Sequence, residues 1–212
     1  VRVIESSPMR VRLRVEGAHV EADGTRRLHY RLGIEVWAGW PAVRFDYHYF
    51  HLEPSTPSLT IRRIALDTAW RLGPDTRRHF IQRAYGLFNV SRHVFNPGRV
   101  ALVADFDRGA PHVEDAAMLL DDVDYPFYLN PPLIDTHEWL GVDDGTHGVY
   151  LRIQDFLAAR PNRITSEAHR LSAELWPATA QPLELPQGRS RCQAIFLAFP
   201  GRETVGSGTA KL

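Results

Sequence analysis

Lysine is almost missing from this chain: Lys211, next to the C-terminus, is the single lysine among 25 lysine and arginine residues. A reaction that needs a lysine base or a Schiff base therefore has no candidate in the body of the protein. Cysteine is equally scarce. Cys192 stands alone, which excludes a disulfide framework and a cysteine-based zinc site, and its place in an alternating apolar run predicts a small core hydrophobe. Charge of one sign is lacking too, because 25 acidic residues balance the 25 basic ones. Without a broad positive field neither nucleic acid nor an anionic membrane surface is an expected partner. No run approaches the roughly 18 consecutive apolar residues of a membrane-spanning helix. The chain reads as a soluble one, secreted or cytoplasmic, and Val1-Arg2-Val3 opens directly in strand-like sequence, as expected of a fragment or a mature form. A nucleophile elbow, a phosphate loop, a dinucleotide fingerprint and a zinc-binding helix motif are all absent from the sequence.

What the chain does contain is short-period alternation. At 212 residues, with 44% apolar and 24% charged residues, it can bury one sizeable core. Val11, Leu13 and Val15 alternate with Arg10, Arg12 and Arg14. After an Asp23-Gly24 turn, Leu28, Tyr30, Leu32, Ile34 and Val36 alternate with Arg27, His29, Arg31 and Glu35. A break at Trp37-Ala38-Gly39-Trp40-Pro41 leads into a third strand carrying Val43, Phe45, Tyr47 and Tyr49. A three-strand meander is predicted, followed by one bulged strand across Leu59–Leu66 and by strands at 100–106, 148–156, 164–175 and 191–199. The last has two apolar faces, which marks it as central. Only Val113–Leu120 has a helical rhythm, and 121–135 reads as a long irregular segment. The expected fold is all-β, an antiparallel sandwich with at most short helices, formed by residues 1–205 and followed by a linker-like tail at 206–212. Val11, Leu13, Leu32, Ile34, Phe45, Phe196 and Ala198 are its predicted buried positions.

The richest polar cluster is Thr136-His137-Glu138-Trp139 followed by Asp143-Asp144-Gly145-Thr146-His147. An indole can stack on the apolar face of a sugar while His and Asp bond its hydroxyls, although the same residues make an ordinary capped turn around a packed Trp. Arg92 and His93, in a polar stretch expected to be a loop, could meet an acidic sugar. His48 and His51 should lie on opposite faces of a strand and so share no metal. Asp121, Asp122 and Asp124 leave calcium possible but lack the spacing of a known calcium loop. No other cofactor is implied.

Several segments taken in order resemble the central sandwich of the exo-rhamnogalacturonan lyase family, the YetA-like proteins. They are Met9–Gly17, Glu35–Arg44, Thr136–Gly145, Ala173–Pro177 and Leu185–Ser190. The resemblance implies a supersandwich-like domain working beside a small barrel and a helical toroid, and an acidic polysaccharide or oligosaccharide as partner. It also implies β-elimination on a uronate, with His137 and His147 as catalytic candidates and Arg92, His93, Trp139, Asp143 and Asp144 as substrate-binding candidates. Base and acid are not assigned between the two histidines. An isolated sandwich is expected to be inactive, and a stand-alone carbohydrate-binding or structural interdomain module without catalysis is the alternative.

Overall fold

A computed structural model describes residues 1–73, 76–83, 90–95, 99–107, 112–114, 118–123 and 139–199. Every regular element among them is a strand. The first four are β1 (Arg2–Ser6), β2 (Arg10–Val20), β3 (Arg26–Trp37) and β4 (Ala42–His51), the predicted meander with an extra edge strand in front. Next come β5 (Ser58–Ile61), β6 (Ile64–Ala69), β7 (Arg77–Arg83), β8 (Val90–Phe95), β9 (Val100–Ala104), β10 (His112–Glu114) and β11 (Met118–Val123). The C-terminal part adds β12 (Trp139–Asp143), β13 (Gly148–Ile153), β14 (Asn162–Glu167), β15 (Arg170–Trp176), β16 (Leu183–Pro186) and β17 (Ser190–Ala198).

These strands form a ten-stranded sheet in the order β1-β2-β3-β4-β17-β13-β12-β7-β8-β11, a five-stranded sheet in the order β10-β9-β14-β15-β6, and a ribbon of β5 and β16. All pairings are antiparallel, so the all-β antiparallel sandwich expected from the alternation is what the chain adopts. β12 and β13 lie over β14 and β15. Between them Leu140, Leu151 and Ile153 of the large sheet meet Leu102, Ile164, Leu171 and Ala173 of the small one in a single dry cluster. Arg78 ties the layers at one place, its guanidinium donating to the Ser166 hydroxyl and the Ala168 carbonyl, both at 3.2 Å.

A ten-stranded sheet cannot be covered by a five-stranded one, and the consequence falls on β1 to β3. Val11 pairs with Val36, Leu13 with Ile34 and Val15 with Leu32, so one apolar face runs across the strands as the alternation requires. The opposite face carries the ion ladder Glu5–Arg10–Glu35, with contacts of 2.7 and 2.9 Å. Yet Leu13, Leu32, Ile34, Phe45 and Phe196 are only half-buried and Val11 is exposed, which corrects six of the seven predicted core positions. Ala198 is buried as expected. Periodicity identifies a face but not whether another layer reaches it.

Other corrections are local. The single bulged strand expected across 59–66 is two strands serving different partners, β5 with β16 and β6 with β15. The run 164–175 is the β14–β15 hairpin rather than one strand. The helical rhythm of 113–120 falls partly in strands β10 and β11, because pairing with β9 and β8 overrides a weak local pattern. Arg92 and His93 lie on β8, not in a loop. Cys192 is exposed instead of core, since it sits on the outer face of β17 opposite His48. That strand is nevertheless central, between β4 and β13.

Candidate functional site

The open end of the sandwich holds a cleft of about 760 Å³, within the size range of small-ligand sites. One wall is the inner face of β2, β3 and β4; the other is made by β5, β6 and the link between them, with Leu175 and Ile195 lining the space between. Its polar and aromatic groups converge near the β2–β3 turn. Glu21 to Thr25 close that turn through Glu21 N–H to the Thr25 carbonyl at 2.9 Å, with Gly24 in the left-handed region at φ 85°.

His19 enters the cleft by alternation, as the next inward position of β2 after Leu13, Val15 and Gly17. The register of β2 on β3 shifts between Ala18 and Val20, which sets two β3 residues, Arg27 and Leu28, opposite His19, so the bulge lies on β3. Its ring lies 5.1 Å from that of Tyr30 and 6.3 Å from that of Tyr47, centroid to centroid. Tyr30 and Tyr47 are themselves 6.0 Å apart. Tyr30 can lie flat across β2 only because residue 17 is glycine: a Cβ there would sit 2.8 Å from the Tyr30 hydroxyl oxygen.

Burial pushes the Tyr47 hydroxyl well above the usual phenol range, with Tyr49 and Tyr30 adding to the effect, while burial pushes the His19 imidazole down. Both shifts favour the neutral pair. His19 Nε2 and the Tyr47 hydroxyl share a hydrogen bond of 2.5 Å, its direction set by the imidazole tautomer. The charged groups of the lining are occupied. Arg27 Nε stands 3.5 Å from Glu21, and its Nη1 donates to Thr56 Oγ1 at 3.1 Å. Arg63 donates to Glu174 at 2.7 Å and to Asp67 at 3.2 Å, contacts that raise its own pKa. The cleft thus offers two tyrosine rings, an aliphatic floor and a neutral imidazole, a surface suited to a polyol with an apolar face.

The cluster chosen from the sequence is built differently. Asp143 is buried, and its carboxylate accepts from the Tyr150 hydroxyl at 2.7 Å and from Gly145 N–H at 3.1 Å. Asp144 accepts from the N–H groups of Gly73 at 2.8 Å, His147 at 2.8 Å and Thr146 at 2.9 Å; led by the Gly73 bond, these hold its carboxyl down at about 2. Both acids shape the β12–β13 turn. His147 is exposed at that turn, whereas Trp139 is buried at the other end of β12, 6.5 Å from the Phe196 ring. At about 3.4 Å per residue the strand holds Trp139 and His147 more than 13 Å apart along its axis. His137 and Asp124 lie outside the described residues, as do the side chains of Arg92, His93, Asp121 and Asp122. His48 and His51 fall on opposite faces, and His51 is buried with Nε2 bonded to the Thr56 carbonyl at 2.6 Å. Among the described residues no group of three His, Cys, Asp or Glu side chains could hold a metal ion.

Sequence reasoning passed over the cleft because none of its residues forms a motif. The one available signal was the point after Val15 where the inward face stops being apolar and carries Gly17 and His19.

No protein-family model and no curated protein matches the chain. Solved structures do. One described provisionally as an aldose 1-epimerase from Escherichia coli K12 is 11% identical with a TM-score of 0.46, over 94% of this chain and 68% of that one. A galactose mutarotase-like protein from Lactobacillus casei is 11% identical with a TM-score of 0.44, over 94% and 72%. A galactose mutarotase related enzyme from Lactobacillus acidophilus is 4% identical with a TM-score of 0.45, over 95% and 71%. At these identities and scores the likeness assigns no activity and no residue a role. It does correct the family expected above: the matching structures are epimerase- and mutarotase-like, not exo-rhamnogalacturonan lyases, and the lyase, rhamnogalacturonan and pectin chemistry implied by that resemblance falls with it.

Proposed function

We propose that this protein is a carbohydrate-binding β-sandwich that holds a glycan in the cleft between β2–β4 and β5–β6 without chemical conversion. The observation that carries the reading is the packing of Tyr30, Tyr47 and His19 on one wall of a cavity of about 760 Å³. Pyranoses present an apolar face to aromatic rings and a rim of hydroxyls to fixed polar groups, and both kinds of surface stand here side by side. The absence of conversion is supported by the state of the ionisable lining groups, since Glu21 faces Arg27 and His19 is engaged by Tyr47. Titration calorimetry against a panel of methyl glycosides and short oligosaccharides tests the reading. Binding that weakens at least tenfold in Tyr47→Ala is expected, and a panel with no binder would refute it.

A second reading, an interdomain scaffold, is favoured by the uncovered inner face of β1 to β3, where Val3, Val11 and Val36 are 66%, 38% and 41% exposed. Binding of an apolar dye by the native protein, abolished in Val11→Ser/Val36→Ser without loss of folding, would support it. Absence of dye binding would remove it.

A further inference from the structure

We infer that the cleft selects neutral sugars and rejects uronates and other anionic glycans; this rests on the reading of the cleft as a sugar site. A carboxylate ligand needs a cation or several fixed donors in place of its water, since the desolvation of an unpaired charge exceeds what contact alone returns. Among the described residues two cations line the cleft, and each is already matched. Arg63 is the stronger case: its Nε donates to Glu174 at 2.7 Å and its Nη2 to Asp67 at 3.2 Å, and the Glu174 side chain is only 14% exposed. Arg27 stands 3.5 Å from Glu21, itself a lining residue, and spends Nη1 on Thr56. The imidazole of His19 supplies no positive charge, because burial lowers its pKa and Nε2 is filled by the Tyr47 hydroxyl. Glu21, Glu174 and Asp67 thus already match the two lining arginines. An incoming carboxylate would have to displace a protein carboxylate from its partner or remain unpaired beside three others. A neutral pyranose meets no such demand, since its hydroxyls can donate to or accept from the imidazole Nδ1 and donate to the outer oxygens of Glu21.

Matched methyl glycosides that differ only at C6, glucoside against glucuronide and galactoside against galacturonide, isolate the charge. The readout is calorimetric affinity at pH 7, with the His19 ring resonances followed by NMR to place the ligand in this cleft. The neutral member of any pair that binds should be at least tenfold tighter. The Glu174→Gln variant frees one arginine and should narrow that ratio several-fold. Equal or tighter uronide binding would overturn the charge inference while leaving the cleft a sugar site. An unchanged ratio in Glu174→Gln would overturn the part assigned to Arg63. Failure of both members of every pair would overturn this inference together with the sugar-binding reading itself.

Discussion

The two halves of the large sheet are made of the same kind of strand and differ only in what lies above them. Over β12, β13 and β17 the small sheet closes a dry interior in which Leu140, Leu151 and Ile153 have no exposed surface. Over β2 and β3 equally apolar alternation ends in half-buried side chains and a cleft. The difference teaches that the binding surface is a product of unequal layers. Wherever a sheet overhangs its partner, apolar positions become a ligand wall instead of a core.

The largest expected effect tests that contrast directly. Leu151→Ala should lose about 2–5 kcal/mol in guanidinium unfolding, because it leaves a cavity under the second layer. Val36→Ala, on the overhang, should stay within about 1 kcal/mol. Similar losses at the two sites would break the comparison.

A glycine facing a tyrosine recurs in both halves and offers a finer test. Gly141 pairs with Tyr150, and a Cβ at residue 141 would lie 2.3 Å from that ring. Tyr150 is buried and tethered to Asp143, so Gly141→Ala should destabilise by about 1–3 kcal/mol. Gly17→Ala meets the half-buried Tyr30, which can swing into the cleft, and should lower stability less while weakening ligand binding. Thermal melts together with calorimetry would show whether the two glycines separate in this way.

Acid sharpens the contrast further. The pKa of His19 is lowered on folding, so as pH falls below the ordinary imidazole value the unfolded chain takes up the proton first. Stability contributed by the neutral His19–Tyr47 pair is present above that value and is lost as pH falls through the lower folded one. A His19→Gln variant should therefore show a flatter decline in Tm between pH 7 and 5 than the parent, and parallel declines would deny the pair any role. The smallest effect is expected at Asp144, a half-buried residue in the covered half whose carboxyl is held down at about 2 by the Gly73, His147 and Thr146 N–H groups. Its contribution should hold down to pH 4 and fade toward pH 2, so that Asp144→Asn and the parent converge in Tm only in that window.

Much of the fold was legible in order and phase. The β2–β3–β4 meander, the two-faced last strand and the Asp143-Asp144-Gly145 turn follow from alternation and turn chemistry, which act over a few residues. Asp143 and Asp144 also show the limit of that reading. Their acid character drew attention as ligand chemistry, yet backbone N–H groups and the Tyr150 hydroxyl satisfy them within the turn. Trp139 likewise could be a platform or a packed ring from sequence, and packing against Phe196 decided it.

By itself the sequence determined an all-β chain, the face on which each side chain of the meander would stand, and the lack of any lysine-based or disulfide chemistry. Only the tertiary structure decided that Leu59–Ile61 and Ile64–Leu66 part into different sheets, that Val11 and Leu13 face open space, and that His19 meets Tyr47 across β3. The physical reason is range. Alternation is set by neighbours two residues apart, whereas coverage of β3 depends on where the small sheet stops at β6, an edge fixed by pairing with β15 more than a hundred residues later in the chain.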